Sequence, residues 1–420
     1  MHLIPSDKFT TNIICVLIRR QLCREELTQN ALIPPVLSRG SQKYPAVRDI
    51  RLATEAMFGS IFDAQIIKKG EEQILQFFLE CADDFAGSGL KKQSLDFLQE
   101  IILQPQLEAT CPATGEGFIS GNVKGESENL KNRIESRIND KSEYAKLLCL
   151  EKMCAGEAFG LYGDGYAEDL PGINPKGLLK HYKKILGESP IEFIAMGKWD
   201  GDWLADEIAA RFISSDNNRF SIQVGTKDSI KNIPKPMLLP ARPKRQIIQQ
   251  SHGSTQGNLC IGLRGEIPPL GMDFIHFQLA NEILGGGPNA RLFTKLREKE
   301  SLCYSIYSTI YRFKSLMCIL AGTEPDKMEH ILQQSEEEVE ALKQGKFSEE
   351  ELQIAKQSLS KRWRVMQDNQ SACIDFYASQ YLLEDPHKLK ELLSQVDKAT
   401  SEGISKAISR LNIDTVVMIK

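Results

Sequence analysis

Residues 284–308 read LGGGPNARLFTKLREKESLCYSIYS, and the fold turns on this stretch. Three consecutive glycines followed by Pro288 cannot extend a helix, so the apolar-faced helix predicted over 271–284 must stop here. Asn289 is placed to N-cap a new helix, and Cys303-Tyr304-Ser305-Ile306-Tyr307 opens a strand expected over 303–311. A strand at 316–322 and a helix at 326–343 follow. The next helix is better marked. Ser348 and Glu351 form a capping box, Phe347 and Leu352 a hydrophobic staple, and the pattern runs towards Trp363. Strands at 258–263 and 415–419 flank this half.

The earlier half repeats the order. A strand over 9–19 leads into a helix from Glu25 to about Leu37, then a helix over 46–58. Strands at 60–67 and 73–80 are split by the Lys68-Lys69-Gly70-Glu71 turn. Helices are expected at 89–103 and 126–156, and a buried strand at 191–197. Leu37-Ser38-Arg39-Gly40 stands to this half as Leu284-Gly285-Gly286-Gly287 stands to the other. The reading is an α+β chain of two homologous domains, each an antiparallel-rich sheet with helices packed on one face. Pro234, Pro236, Pro240 and Pro243 amid lysines mark a linker over 226–244, between domains at 1–225 and 245–420.

Composition narrows the function. The 420 residues are 41% hydrophobic and 26% charged, which excludes disorder, collagen-like sequence and a disulfide miniprotein. A net charge of −4 leaves no basic surplus for a nucleic-acid partner. Ten cysteines are scattered with no C-x-x-C, so they read as small buried hydrophobes in a reducing compartment. The run Ile13–Ile18 is too short to cross a bilayer and has no basic leader, so no membrane partner and a cytoplasmic setting are expected. Gly285-Gly286-Gly287 reads as a turn rather than a phosphate loop, and Ser251-His252-Gly253-Ser254 lacks a nucleophile elbow. Glu336-Glu337-Glu338 reads as a solvated helix face, and Phe77, Phe78, Tyr307 and Tyr311 as core.

The string 284–308 resembles the second-domain signature of the insulinase-like zinc peptidases, which include pitrilysin and the mitochondrial processing peptidases. Their pattern is an L-G-G-G turn, R-L-F-x-x-L-R-E-K on a helix, then L-x-Y-S-x-Y-S on a strand. The resemblance implies a clam-shell arrangement of the two domains. It also implies roles for Arg297 and Tyr304, which match a pair that hydrogen-bonds substrate carbonyls beside the scissile bond. A fixed guanidinium and a phenol can meet the charge growing on a carbonyl oxygen in a tetrahedral transition state.

The same resemblance implies zinc, and here the sequence departs from the family. Active members carry H-x-x-E-H in the first domain and a Glu ligand some way beyond. The six histidines here are dispersed, and no such motif occurs. Aligned with the family's H-F-L-E-H-M-L-F-K-G, residues 31–40 place Ala31, Pro34 and Pro35 where His, Glu and His would stand, and the later ligand falls at Arg133. Consecutive prolines are expected to disrupt the ligand-presenting turn. No metal is expected on this chain. The zinc is expected on a partner bearing H-x-x-E-H, in a heterodimer whose substrate is a peptide. Such a chain would be a pseudo-peptidase subunit that is not catalytic alone. Residues 43–64 and 133–145 resemble a narrower bacterial subgroup associated with 5-aminopentanol modification of elongation factor P. A structural or chaperone-like peptide-binding role without proteolysis is the alternative.

Overall fold

An apolar run with no polar alternation favours a strand covered on both faces, whereas alternation marks a strand at an edge. Both kinds appear in the computed structural model, which describes residues 1–85, 88–111, 115–213, 237–251, 253 and 256–420. In the first half, β1 (His2–Pro5), β2 (Thr11–Gln21), β3 (Ile61–Lys69), β4 (Glu72–Ala82) and β7 (Ile191–Gly197) form a sheet in the order β1-β7-β2-β4-β3. A two-stranded ribbon of β5 (Leu107–Cys111) and β6 (Gly115–Phe118) stands apart. Central β2 is buried without a break from Asn12 to Arg19, while edge strand β3 has no buried residue.

In the second half, β8 (Gln246–Gln250), β9 (Gly257–Gly265), β10 (Cys303–Tyr311), β11 (Leu316–Thr323) and β12 (Leu411–Ile419) are ordered β10-β11-β9-β12-β8. Reversed, that order reproduces the first sheet position by position. In each, the one parallel pair is the outermost one, β1 with β7 and β8 with β12. One α+β fold therefore occurs twice. The short strands β1 and β8 and the β5–β6 ribbon were not predicted, because HLIP and QIIQQ carry too little apolar pattern to register.

The first half's helices are α1 (Leu27–Leu37), α2 (Val47–Ala56), α3 (Leu90–Leu103), α4 (Ser120–Glu135), α5 (Lys141–Met153), α6 (Pro175–Glu188) and α7 (Gly201–Ile208). The single helix expected over 126–156 is two. A 3-10 turn at Ser136–Asn139 separates α4 from α5, and Asp140 caps α5 by accepting from the Glu143 amide at 3.0 Å. The capping box at Ser348 is present. Glu351 N–H donates to Ser348 Oγ at 3.1 Å, and Ser348 N–H to the Glu351 carboxylate at 2.7 Å.

The chain divides into two compact units. One comprises Met1–Glu135, Leu161–Pro234 and Gln370–Ala378, the other Ser136–Gly160, Lys235–Asn369 and Ser379–Lys420. These differ from the sequential halves by two segments, 136–160 and 370–378, each grouped with the sheet of the opposite half. In the first unit, Gln370 exchanges hydrogen bonds with Thr11 at the start of β2, and Asp375 pairs with Lys69 at 2.6 Å. The first unit's core gathers β2, β4, α1, α3 and α6 residues around Tyr182, whose hydroxyl donates to the Ile102 carbonyl at 2.7 Å. In the second unit, α5 covers one face of the sheet, with Cys149 and Met153 against Cys260, Cys318 and Leu320. Residues 226–236 of the expected linker and His252 and Ser254 lie outside the described residues.

Candidate functional site

Two surfaces bear on the chemistry, one in each unit. In the first, α1 forms because Leu27, Ala31, Leu32, Ile33, Val36 and Leu37 are buried in the core. The expected disruption by prolines does not occur. Pro34 and Pro35 lie inside the helix, which continues through Leu37 and closes with Ser38 donating N–H and Oγ–H to the Pro34 carbonyl at 3.1 and 2.9 Å. Each proline removes one amide donor, and burial of the apolar face outweighs that loss. Ala31 is 1% exposed and Pro34 is buried, so these positions offer carbon alone.

Arg133 lies in the last turn of α4, exposed, with Asp164 at 3.3 Å. An adjacent cleft of ≈ 360 Å³ is lined by Pro35, Arg39, Phe62, Asp63 and Glu126, among others, and Arg39 and Glu126 are an ion pair. A zinc ion of the family's type needs nitrogen, sulfur or carboxylate ligands. Ala31, Pro34, Pro35 and Arg133 supply none, so these residues do not fit it.

In the second unit the glycine run folds back onto β10. The helix Gly271–Leu284 ends as Gly285 and Gly286 both donate to the Asn281 carbonyl, at 2.9 and 2.8 Å. Ser308 N–H donates to the Gly285 carbonyl at 2.9 Å, and a Cβ on Gly285 would lie 2.7 Å from Ser308 Oγ. The close approach of turn to strand is what excludes a side chain there.

The helix expected after this turn is π-helical over Phe293–Lys299. Its backbone begins with Ala290 N–H donating to Gly287 O at 3.1 Å and Thr294 N–H to Ala290 O at 3.0 Å; Asn289 is exposed and makes no described capping bond. Leu292 and Leu296 are fully buried, and Arg297 faces solvent with its guanidinium 4.6 Å from the centre of the Phe293 ring. Ser301, in the left-handed region at φ 51°, turns the chain into β10.

Tyr304 occupies a β-bulge. Cys303 pairs with Thr323 and Ser305 with Gly322, which leaves Tyr304 as the extra residue. The side chain is 58% exposed, and its hydroxyl donates to Glu324 at 3.3 Å. Burial raises the Cys303 thiol to about 11, and the Arg297 charge pulls it the other way. Arg297 and Tyr304 are thus both exposed at the head of an edge strand. Tyr307, expected in the core, is 44% exposed on the same strand, because at an edge the outward-facing side is left uncovered. Phe77 is fully buried, whereas Phe78 and Tyr311 are half-buried.

The acidic run is also more than a solvated face. Glu338 is buried and pairs with Arg291 at 3.2 Å and Lys295 at 2.8 Å, anchoring the start of the π-helical segment; Glu336 pairs with Arg245. Arg291 also meets Glu351 at 3.1 Å. The i, i+4 spacing of Arg291 and Lys295 was the available signal for this anchor.

Residues 172–359 match the family described as Peptidase M16 inactive domain. The chain is 26% identical over 422 residues to the "probable inactive metalloprotease YmfF" of Bacillus subtilis (strain 168), covering 100% of this chain and 95% of that protein. A conserved protein from Enterococcus faecalis V583 superposes with a TM-score of 0.87 at 22% identity, over 100% of this chain and 95% of that one. The peptidase M16 inactive domain from Pseudomonas fluorescens superposes with a TM-score of 0.78 at 16% identity, over 99% and 94%. These two show the same fold. Residues 172–359 thus match the peptidase M16 inactive-domain family, and the chain, with its L-G-G-G signature and without an H-x-x-E-H motif, is similar over its whole length to a probable inactive metalloprotease.

Proposed function

We propose that this chain is the zinc-less subunit of a heterodimeric insulinase-like peptidase. It binds the peptide and offers Arg297 and Tyr304 to a zinc site held by a partner with H-x-x-E-H. The carrying observation is the exposure of both donors at the head of β10, with Arg297 in no described ion pair and Tyr304 turned out by a bulge. An arginine and a phenol in that state are available to a carbonyl oxygen as charge builds on it. The uncovered edge of β10 further supports peptide capture by strand addition, main-chain bonds giving affinity and Tyr307 a surface for side chains. The scattered cysteines, with no C-x-x-C, support a reducing, cytoplasmic setting. Among the described residues no helix is long and apolar enough to cross a membrane. The link to elongation factor P modification rests on likeness at 43–64 and 133–145.

The test mixes the purified chain with an H-x-x-E-H homologue from the same genome and follows cleavage of a peptide library. Cleavage is expected in the mixture and in neither protein alone. Arg297→Ala and Tyr304→Phe should each lower its rate by about 10²–10³. Unchanged rates in those variants would refute the assigned roles. Peptide capture by this chain alone, with the homologue's rate unaffected, would instead establish a binding module without proteolysis.

A further inference from the structure

Cys149, Cys260 and Cys318 come from three separate elements of the second unit, α5, β9 and β11, and all are 0% exposed. On the sheet, Cys318 stands opposite Gly262 and Cys260 opposite Leu320, so the two cysteines lie diagonally across neighbouring strands on one face. Cys149 descends onto that face from α5. A Cβ on Gly262 would lie 2.7 Å from the Cys149 sulfur, so the missing side chain is what admits the third thiol. The three sulfurs lie within 4.8 Å of one another, and the Cys149 thiol donates to the Thr415 carbonyl at 3.5 Å. The Met153 thioether sits over the same glycine, 3.1 Å from that Cβ position.

We infer that these three cysteines form a closed binding site for a thiophilic metal ion, coordinated by three sulfurs in the interior of the second unit. Three sulfurs at about 2.3 Å from one ion stand roughly 4 Å apart, so little movement separates the observed cluster from a coordinated one. All-sulfur ligation excludes hard ions such as calcium and magnesium and selects zinc, cadmium or cuprous copper. As each sulfur bonds the ion, any proton it carries passes to solvent, and the ion's positive charge offsets the thiolates in a buried setting. With no exposed atom the site leaves no position for a substrate water, so its role is structural, and the ion enters as the chain folds. The family's zinc position, in the other unit, is a different place with different ligand types. Buried cysteines can also serve as packing alone, and a single disulfide would engage two of the three; both alternatives predict no retained ion.

The test refolds the full reduced chain anaerobically with Cd²⁺, removes unbound metal, and measures metal content and sulfur-to-metal absorption. Zn²⁺ and Cu⁺ are run in parallel to identify the preferred ion. One ion per chain is expected, with a higher Tm than the metal-free protein. Cys149→Ala, Cys260→Ala and Cys318→Ala should each abolish stoichiometric retention, while Cys15→Ala and Cys373→Ala keep it. Folding of each variant is checked by circular dichroism. For any variant that fails to fold, wild-type alkylation in mild denaturant decides. Labelling of these three cysteines should fall when the ion is bound, and equal labelling with and without it overturns the site. A folded wild-type chain that retains no ion, or retention indifferent to all three substitutions, does the same. None of these outcomes bears on the peptidase-subunit reading.

Discussion

The two units build one strand order around buried charges of opposite arrangement. In the first, Arg19 near the end of β2 is held between Glu72, at 2.7 Å, and Glu192. In the second, Glu157 is held between Arg264 near the end of β9, at 2.6 Å, and Lys314, at 2.9 Å. β2 and β9 are the middle strands of their sheets. One unit therefore closes that position with two carboxylates on a cation, the other with two cations on a carboxylate. The fold demands that a charge buried there be paired, and is indifferent to its sign. The same independence applies to α1, whose place in the fold rests on its apolar face. Leu32, Ile33, Val36 and Leu37 hold α1 in the core, so the helix persists with Pro34 and Pro35 inside it.

The sharpest way to break this comparison is Glu157→Gln, which leaves Lys314 and Arg264, 1% and 4% exposed, as buried cations without their carboxylate. We expect a loss of about 3–5 kcal/mol in urea unfolding, with hydrogen exchange accelerated first in β9 and β11. A loss within the ordinary surface range would mean that the charge cluster is dispensable.

Acid should act next, and on the first unit. Burial pushes the Glu192 carboxyl up, but the hydrogen bond with His2 and the Arg19 charge outweigh it and bring it to about 2. A depressed folded-state value gives stability that is fully present above the ordinary carboxylate range and lost as pH falls from about 4.5 through 2. Its size is on the order of 3 kcal/mol. Denaturant midpoints measured across that window should fall in the wild type. A Glu192→Gln chain should show a smaller fall, and identical slopes would remove Glu192 as the cause.

The mildest effect concerns positions 31, 34 and 35 of α1. Restoring the motif through Ala31→His, Pro34→Glu and Pro35→His should not restore tightly held zinc, because Arg133 supplies no third ligand. A histidine at a site 1% exposed should cost about 1–3 kcal/mol through overpacking. Metal content after dialysis and the thermal midpoint check both parts, and stoichiometric zinc in that variant would overturn the first.

Much of the architecture was legible because its signals are local. The glycine break after Leu284, the capping box at Ser348 and the apolar runs of β2 and β9 each declare themselves within about ten residues. The break between α4 and α5 was missed because amphipathic periodicity continues across it, and only Asp140 marked the restart. Arg297 and Tyr304 came from a motif, but the bulge that exposes Tyr304 depends on its pairing with β11, a partner that the strand's own residues do not specify.

By itself the sequence determined much of the element order, the duplication and the absence of an H-x-x-E-H motif, since each follows from residue type and short-range spacing. Tertiary structure alone decided which segments join which sheet, that Glu338 anchors the π-helical segment, and that Cys149 meets Cys260 and Cys318. Contacts between residues more than forty positions apart arise when helices and strands bury their apolar faces together. No local pattern encodes which distant partner will be found there.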